Sequence, residues 1–224
     1  MINFLKKHKK QLIISVVIAT VVLIIAKKLR KPPSVKALPL QKQAEADRIK
    51  WKGRTETDPL LSNTLVGYWK GVGKTVTPSQ VQSTSFNQAY PWSSAYVTHL
   101  IKSAGYDFKG GASHSTYAVQ GKKDRQSNTK NKFWAFRPSE TKKVEIGDIL
   151  VKNRGGSNYN YDTIFSGAKS HGDVVIDIKD DNGKISAVTQ GGNLGDSVKT
   201  GTIPLTSTQL LPISSSYFLQ LKYV

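Results

Sequence analysis

Ala89-Tyr90-Pro91-Trp92-Ser93-Ser94-Ala95-Tyr96-Val97 is the stretch from which the fold is read. Pro91 stops one segment, Trp92 marks the boundary, and two hydroxyls open the next. Tyr96, Val97, Leu100, Ile101 and Ala104 then recur at steps of three and four, the period of a helix with one buried face. The spacing predicts a helix over Ser93–Ala104, with Gly105 as its C-terminal stop. A Ser ahead of such a run is ordinarily an N-cap, so Ser93 or Ser94 is expected to close the helix end.

Upstream, Gln41–Trp51 reads as a thin-faced helix, and Gly53–Pro59 breaks it. Asp58 before Pro59 is a cap with Pro at the first helical position. Leu60, Leu61, Leu65, Val66 and Trp69 continue as a helix that ends at Gly71 and Gly73. Gly71-Val72-Gly73-Lys74-Thr75 lacks the earlier Gly of a phosphate loop and has no strand leading into it.

Downstream the texture changes. Gly110-Gly111-Ala112-Ser113-His114-Ser115-Thr116-Tyr117 is a loop entering a short helix, and Lys122–Lys132 reads as a polar surface excursion. Ile146–Val151 and His171–Ile178 read as strands, with a hairpin turn at Asp181-Asn182-Gly183 and a return over Ile185–Thr189. Tyr217, Leu219, Leu221 and Tyr223 alternate in a closing strand. On the His171 strand, strict alternation puts His171, Asp173, Val175 and Asp177 on one half-polar face and Val174, Ile176 and Ile178 in the core. Helices followed by antiparallel strands make an α+β fold.

The chain has 224 residues, no Cys and a formal net charge of +18. Without Cys there is no disulfide, thiolate metal site or cysteine nucleophile. About half of the charge lies in residues 1–36, which hold nine Lys and Arg and no acid. Leu12–Ala26 carries no charge and covers roughly 22 Å at about 1.5 Å per residue, against roughly 30 Å of hydrocarbon. Flanking lysines can snorkel and the bilayer can thin, so a transmembrane anchor is expected. Lys27-Lys28-Leu29-Arg30-Lys31 occupies the place where a signal peptide would carry its small-residue cleavage site. The expected order is a basic segment (1–10), a transmembrane helix (11–28), a basic Pro-containing linker (29–40) and one domain (41–224).

Five motifs in order carry a resemblance: Pro91-Trp92-Ser93-Ser94-Ala95-Tyr96-Val97, Ala112-Ser113-His114-Ser115-Thr116-Tyr117, Gly147-Asp148-Ile149, Ser170-His171-Gly172-Asp173-Val174-Val175, and the segment from Gly191-Gly192-Asn193 to Val198. Together with Tyr68-Trp69 they look like an uncharacterised family of bacterial and phage proteins. That family is similar to the NlpC-type and CHAP-type papain-like peptidoglycan peptidases. The resemblance implies a papain-like domain that hydrolyses an amide or peptide bond of the cell wall. It places Ser93 at the nucleophile position, where active relatives carry Cys, with His171 as base and Asn193 as the orienting group. Trp92, His114, Tyr117, Asp173 and Gln190 would line the cleft, Gln190 also being a substitute for Asn193. The helix end supplies at most about 2 kcal/mol, far too little to ionise a Ser hydroxyl, so an imidazole must take its proton.

The partners this implies are peptidoglycan and, through the N-terminal helix, a membrane; no nucleic acid and no cofactor are called for. The domain would face the wall from a bacterial envelope or a phage virion membrane, serving entry or lysis. The rival expectation is an inactive papain-like domain that binds wall glycan or peptide, or serves as a structural membrane protein. A zinc site on His114, His171 and Asp173 is a third.

Overall fold

A computed structural model describes residues 37–138, 140 and 142–224. The anchor and basic segment expected over residues 1–28 lie outside the described residues. Among the described residues no helix is long and apolar enough to cross a membrane.

Helices come first. They are α1 (Ala37–Trp51), a 3-10 turn (Pro59–Leu61), α2 (Ser62–Gly71), α3 (Pro78–Val81), α4 (Thr84–Ala89), α5 (Ser93–Ser103) and α6 (His114–Gln126). The strands follow as β1 (Phe133–Phe136), β2 (Ile149–Asn153), β3 (Ser170–Asp181), β4 (Lys184–Gly191), β5 (Lys199–Pro204) and β6 (Tyr217–Tyr223). They form one antiparallel sheet in the order β1-β6-β2-β3-β4-β5. The α+β fold with N-terminal helices and an antiparallel sheet is therefore what the chain forms.

The caps behave locally as their chemistry dictates. Asp58 accepts from Leu60 N at 2.9 Å, and Thr77 with Gln80 forms a reciprocal capping box on α3. Helix α1 begins at Ala37, so Ala37–Leu40, read from sequence as linker, belongs to it; Leu40 is wholly buried. Helix α6 runs on to Gln126, so the first part of the expected surface excursion is helical.

Both faces of the sheet are covered. On one, Leu65, Tyr96, Val97 and Leu100 from the helices pack on Val151, Val174, Leu219 and Leu221. On the other, Leu150, Val175, Ala187 and Tyr217 pack under Val144, Leu205 and Leu211. The strict alternation expected for β3 fails at a bulge between Val175 and Asp177. One extra residue there moves Ile178 to the side of Val175, while Val174 and Ile176 stay toward the helices. His171 and Asp173 are correspondingly buried, not half-exposed.

Candidate active site

Helix α5 starts without a side-chain cap. Both serine hydroxyls expected to close it are committed elsewhere. Ser94 Oγ donates to Gly111 O at 2.8 Å, and Ser93 Oγ lies 2.6 Å from His114 Nε2. The loop that delivers His114 is fastened to the same helix: Gly111 N donates to Thr98 Oγ1 at 3.2 Å. Gly110, at φ 66°, passes so close to Thr98 that a Cβ there would lie 2.2 Å from its side chain.

The other nitrogen of His114, Nδ1, is hydrogen-bonded to the Tyr117 hydroxyl one turn along α6. The pair sits over Gly172 of β3, where a Cβ would meet the Tyr117 hydroxyl at 2.3 Å and His114 Nδ1 at 2.8 Å. Missing a side chain at residue 172 is thus what lets the start of α6 reach the sheet. Ser93, His114 and Tyr117 form one buried chain from helix to helix over this gap. Burial, reinforced by the charge of His171, pushes the His114 pKa well down, so the imidazole is neutral. Burial, with the charge of Asp173, pushes the Tyr117 phenol well up, so it keeps its proton.

A second cluster stands beside the first. The His171 ring lies 5.1 Å from the His114 ring, centroid to centroid. His171 Nε2 donates to Asp173 Oδ1 at 2.9 Å. Tyr217 Oη donates to Asp173 Oδ2 at 2.5 Å, and Lys152 Nζ approaches that same oxygen at 3.2 Å. Burial opposes the charge on Asp173, but the His171 hydrogen bond, the Lys152 ammonium and the Tyr217 hydroxyl hold its carboxyl well below the usual range.

The structure thus differs from the sequence reading in how it pairs the groups. Ser93 meets His114, not His171, because His171 points with Asp173 from the opposite side of β3, while the Gly172 gap faces the helices. Among the described residues no hydrogen bond joins Asn193 to His171; Asn193 occupies a left-handed turn after β4, at φ 57°. Trp92 does not line a cleft: it is fully buried, stacked at 4.7 Å on Trp51, and its Nε1 donates to Glu56 at 2.6 Å. Gln190 is equally internal, donating to Ala44 O and to Tyr96 Oη. Tyr217 and Lys152 were missed. Their signal lay only in the ladder, which sets Lys152 opposite His171.

Among the described residues no group of three or more His, Cys, Asp or Glu is placed to hold a metal ion. A cavity of about 370 Å³ opens between α1, α2 and α5, lined by Gln43, Lys50, Tyr68 and His99 among others. None of its lining residues belongs to either cluster.

The family model described as "Uncharacterized protein conserved in bacteria (DUF2272)" matches residues 58–218. The chain belongs to this family. No curated protein and no solved structure matches the chain. The matched range of the family contains Ser93, His114, Tyr117, Lys152, His171, Asp173 and Tyr217, so both clusters fall inside it.

Proposed function

We propose that this domain is a papain-like hydrolase that cuts an amide or peptide bond of peptidoglycan. Ser93 is the nucleophile and His114 the general base. The observation that carries the reading is the 2.6 Å approach of Ser93 Oγ to His114 Nε2 at a helix end with no side-chain cap. A neutral imidazole is the form a base must have. As Ser93 Oγ bonds to the carbonyl carbon, its proton passes to Nε2 and the carbonyl oxygen takes the negative charge. Free N–H groups of the first turn of α5 are the donors for that oxyanion. The imidazolium then gives its proton to the departing amine, and water hydrolyses the acyl-serine by the same route in reverse. Asp173 favours the transient imidazolium, since its charge acts on His114 in that direction.

Peptidoglycan as substrate is supported by the motif resemblance to NlpC-type and CHAP-type enzymes, by the helices-then-sheet order, and by membership of a bacterial family. The basic apolar N-terminus supports a membrane-anchored protein with this domain on the wall side, in a bacterial envelope or a virion used for entry or lysis.

A second reading rests on burial. Ser93 is 1% exposed and His114 3%, as expected of a strut rather than of groups a substrate reaches. On it the domain binds wall glycan or peptide without cutting. The two readings place one proton differently. Hydrolysis needs Nδ1–H donating to the Tyr117 oxygen, so that Nε2 accepts from Ser93. A strut is satisfied with Tyr117 donating to Nδ1 and Nε2–H donating to Ser93. Zymography of the full chain on purified walls decides: clearing that Ser93→Ala abolishes, with the circular dichroism spectrum unchanged, is the expected result. Clearing that survives Ser93→Ala removes Ser93 as nucleophile. Wall binding without clearing, with a ¹⁵N imidazole spectrum showing Nε2–H, establishes the second reading.

A further inference from the structure

We propose that the cavity between α1, α2 and α5 binds a small hydroxylated carboxylate, no larger than a monosaccharide. Its lining residues belong neither to the Ser93 cluster nor to the His171 cluster, so the site stands whether or not Ser93 reacts. Three helices build it, with polar groups at helical spacing. Gln43 and Lys50, seven residues apart, share one face of α1, and Asn63, Thr64 and Gly67 share one face of α2. His99 comes from α5, its ring 4.7 Å from that of the buried Tyr68. The volume, about 370 Å³, falls in the range of small-ligand sites.

One glycine keeps the cavity open. Gly67 lies inside α2, and a Cβ built on it would meet no atom within 4 Å. Neither packing nor a positive φ calls for glycine there, and glycine weakens a helix relative to every residue but proline. A side chain at residue 67 would instead take up part of the cavity it lines.

The polar groups around that space are uncommitted. Among the described residues, the side chains of Lys50, Asn63, Thr64 and His99 make no hydrogen bond or ion pair. Gln43 donates its amide N–H to Asp47 Oδ1 at 3.1 Å, which leaves its own carbonyl oxygen as an acceptor. Asp47 is itself buried and does not line the cavity, and no other acid does. Burial, reinforced by the Lys50 charge, pushes the His99 pKa down, so its ring is neutral at pH 7 and offers one donor and one acceptor. Lys50 thus supplies a single cation with no carboxylate beside it, which suits one negative charge; a phosphate collects several cations. The remaining groups mix donors with acceptors, a pattern that hydroxyls satisfy because each of them does both.

The test uses the full chain in detergent micelles, with glucuronate as the probe and glucose, acetate and inorganic phosphate as comparisons. Tryptophan fluorescence follows binding, because Tyr68 lines the cavity and accepts the Trp51 indole N–H at 3.1 Å. The His99 imidazole signals, assigned with His99→Gln, report on the cavity itself. Glucuronate is expected to move those signals and to bind at least about tenfold more tightly than glucose or acetate. Lys50→Gln is expected to weaken glucuronate about tenfold, the scale of one charge-assisted contact, and to leave glucose unchanged. Gly67→Leu is expected to abolish binding with no fall in melting temperature. Lys70→Gln, on the same helix but outside the cavity, is expected to alter neither. Unmoved His99 signals overturn the site, as does binding that survives Gly67→Leu. Equal losses in Lys50→Gln and Lys70→Gln reduce it to surface charge and overturn it. Glucose or phosphate binding as tightly as glucuronate also overturns it, the first by removing the carboxylate from recognition and the second by removing the preference for a single charge.

Discussion

At the scale of single residues, the site depends on one absent side chain. Gly172 gives the Tyr117 hydroxyl and His114 Nδ1 the space a methyl would take, at 2.3 and 2.8 Å. Both neighbours are buried and joined to each other, so neither can turn aside freely. Gly172→Ala is expected to cost about 1–3 kcal/mol of stability, the usual scale of overpacking, and to abolish wall clearing by moving His114 off Ser93. Chemical denaturation and zymography of the same preparation check both parts; unchanged clearing would show that the imidazole need not sit over this gap. Ser93 was legible in the sequence because a helix start announces itself by its own period. Its partner was not, because pairing depends on which side of β3 each imidazole approaches, and a gap at Gly172 has no periodic signature. One signal went unused: His171 and Asp173, two apart on a strand, share a face and are within reach of each other, which already suggested that His171 was taken.

At the scale of elements, α1 places a carboxylate where water does not reach. Asp47 is 1% exposed, receives a hydrogen bond from Gln43 at 3.1 Å, and has one oxygen without a hydrogen-bond partner. Burial raises its pKa from 3.8 to about 6. A carboxyl whose folded value lies above its unfolded one contributes stability fully below about pH 3.8 and loses it as the pH rises through about 6. Asp47→Asn removes that loss. It is expected to leave stability near wild type at pH 4 and to increase it at pH 7.5 by up to about 2–3 kcal/mol for a shift of roughly two units, with a correspondingly higher melting temperature there. Melting curves across that range check it, and a parallel offset at both pH values would refute a titrating Asp47. Asp148, raised to about 6 by burial despite Lys222, leaves a second step of the same sign in the Asn variant. Elements with a clear period (α2, α5, β3, β4, β6) were readable; β1 and β5 were not. Phe133-Trp134-Ala135-Phe136 is apolar on every residue, and Lys199–Pro204 is Gly- and Thr-rich and exposed except at Ile203, so neither alternates visibly.

At the scale of the whole molecule, the family match begins at residue 58, but the folding unit begins earlier. Helix α1 supplies Leu40, Ala44 and Trp51 to the core, and Trp51 joins Trp92 by stacking and Tyr68 through its Nε1 at 3.1 Å. Glu56, 5% exposed, accepts from Trp92 Nε1, and its own N–H donates to Asp196 O at 2.8 Å. Trp92 is the residue before Ser93, so these contacts fix the start of α5 from outside the family range. Losing one core Trp costs about 3–5 kcal/mol, against a total stability of about 5–15 kcal/mol for a domain. A chain beginning at residue 37 is therefore expected to melt cooperatively, and one beginning at residue 58 to lack a cooperative transition by circular dichroism. Should the chain from residue 58 melt within a few degrees of the longer one, α1 would be an appendage, and the position of Ser93 would have to be explained by the sheet alone.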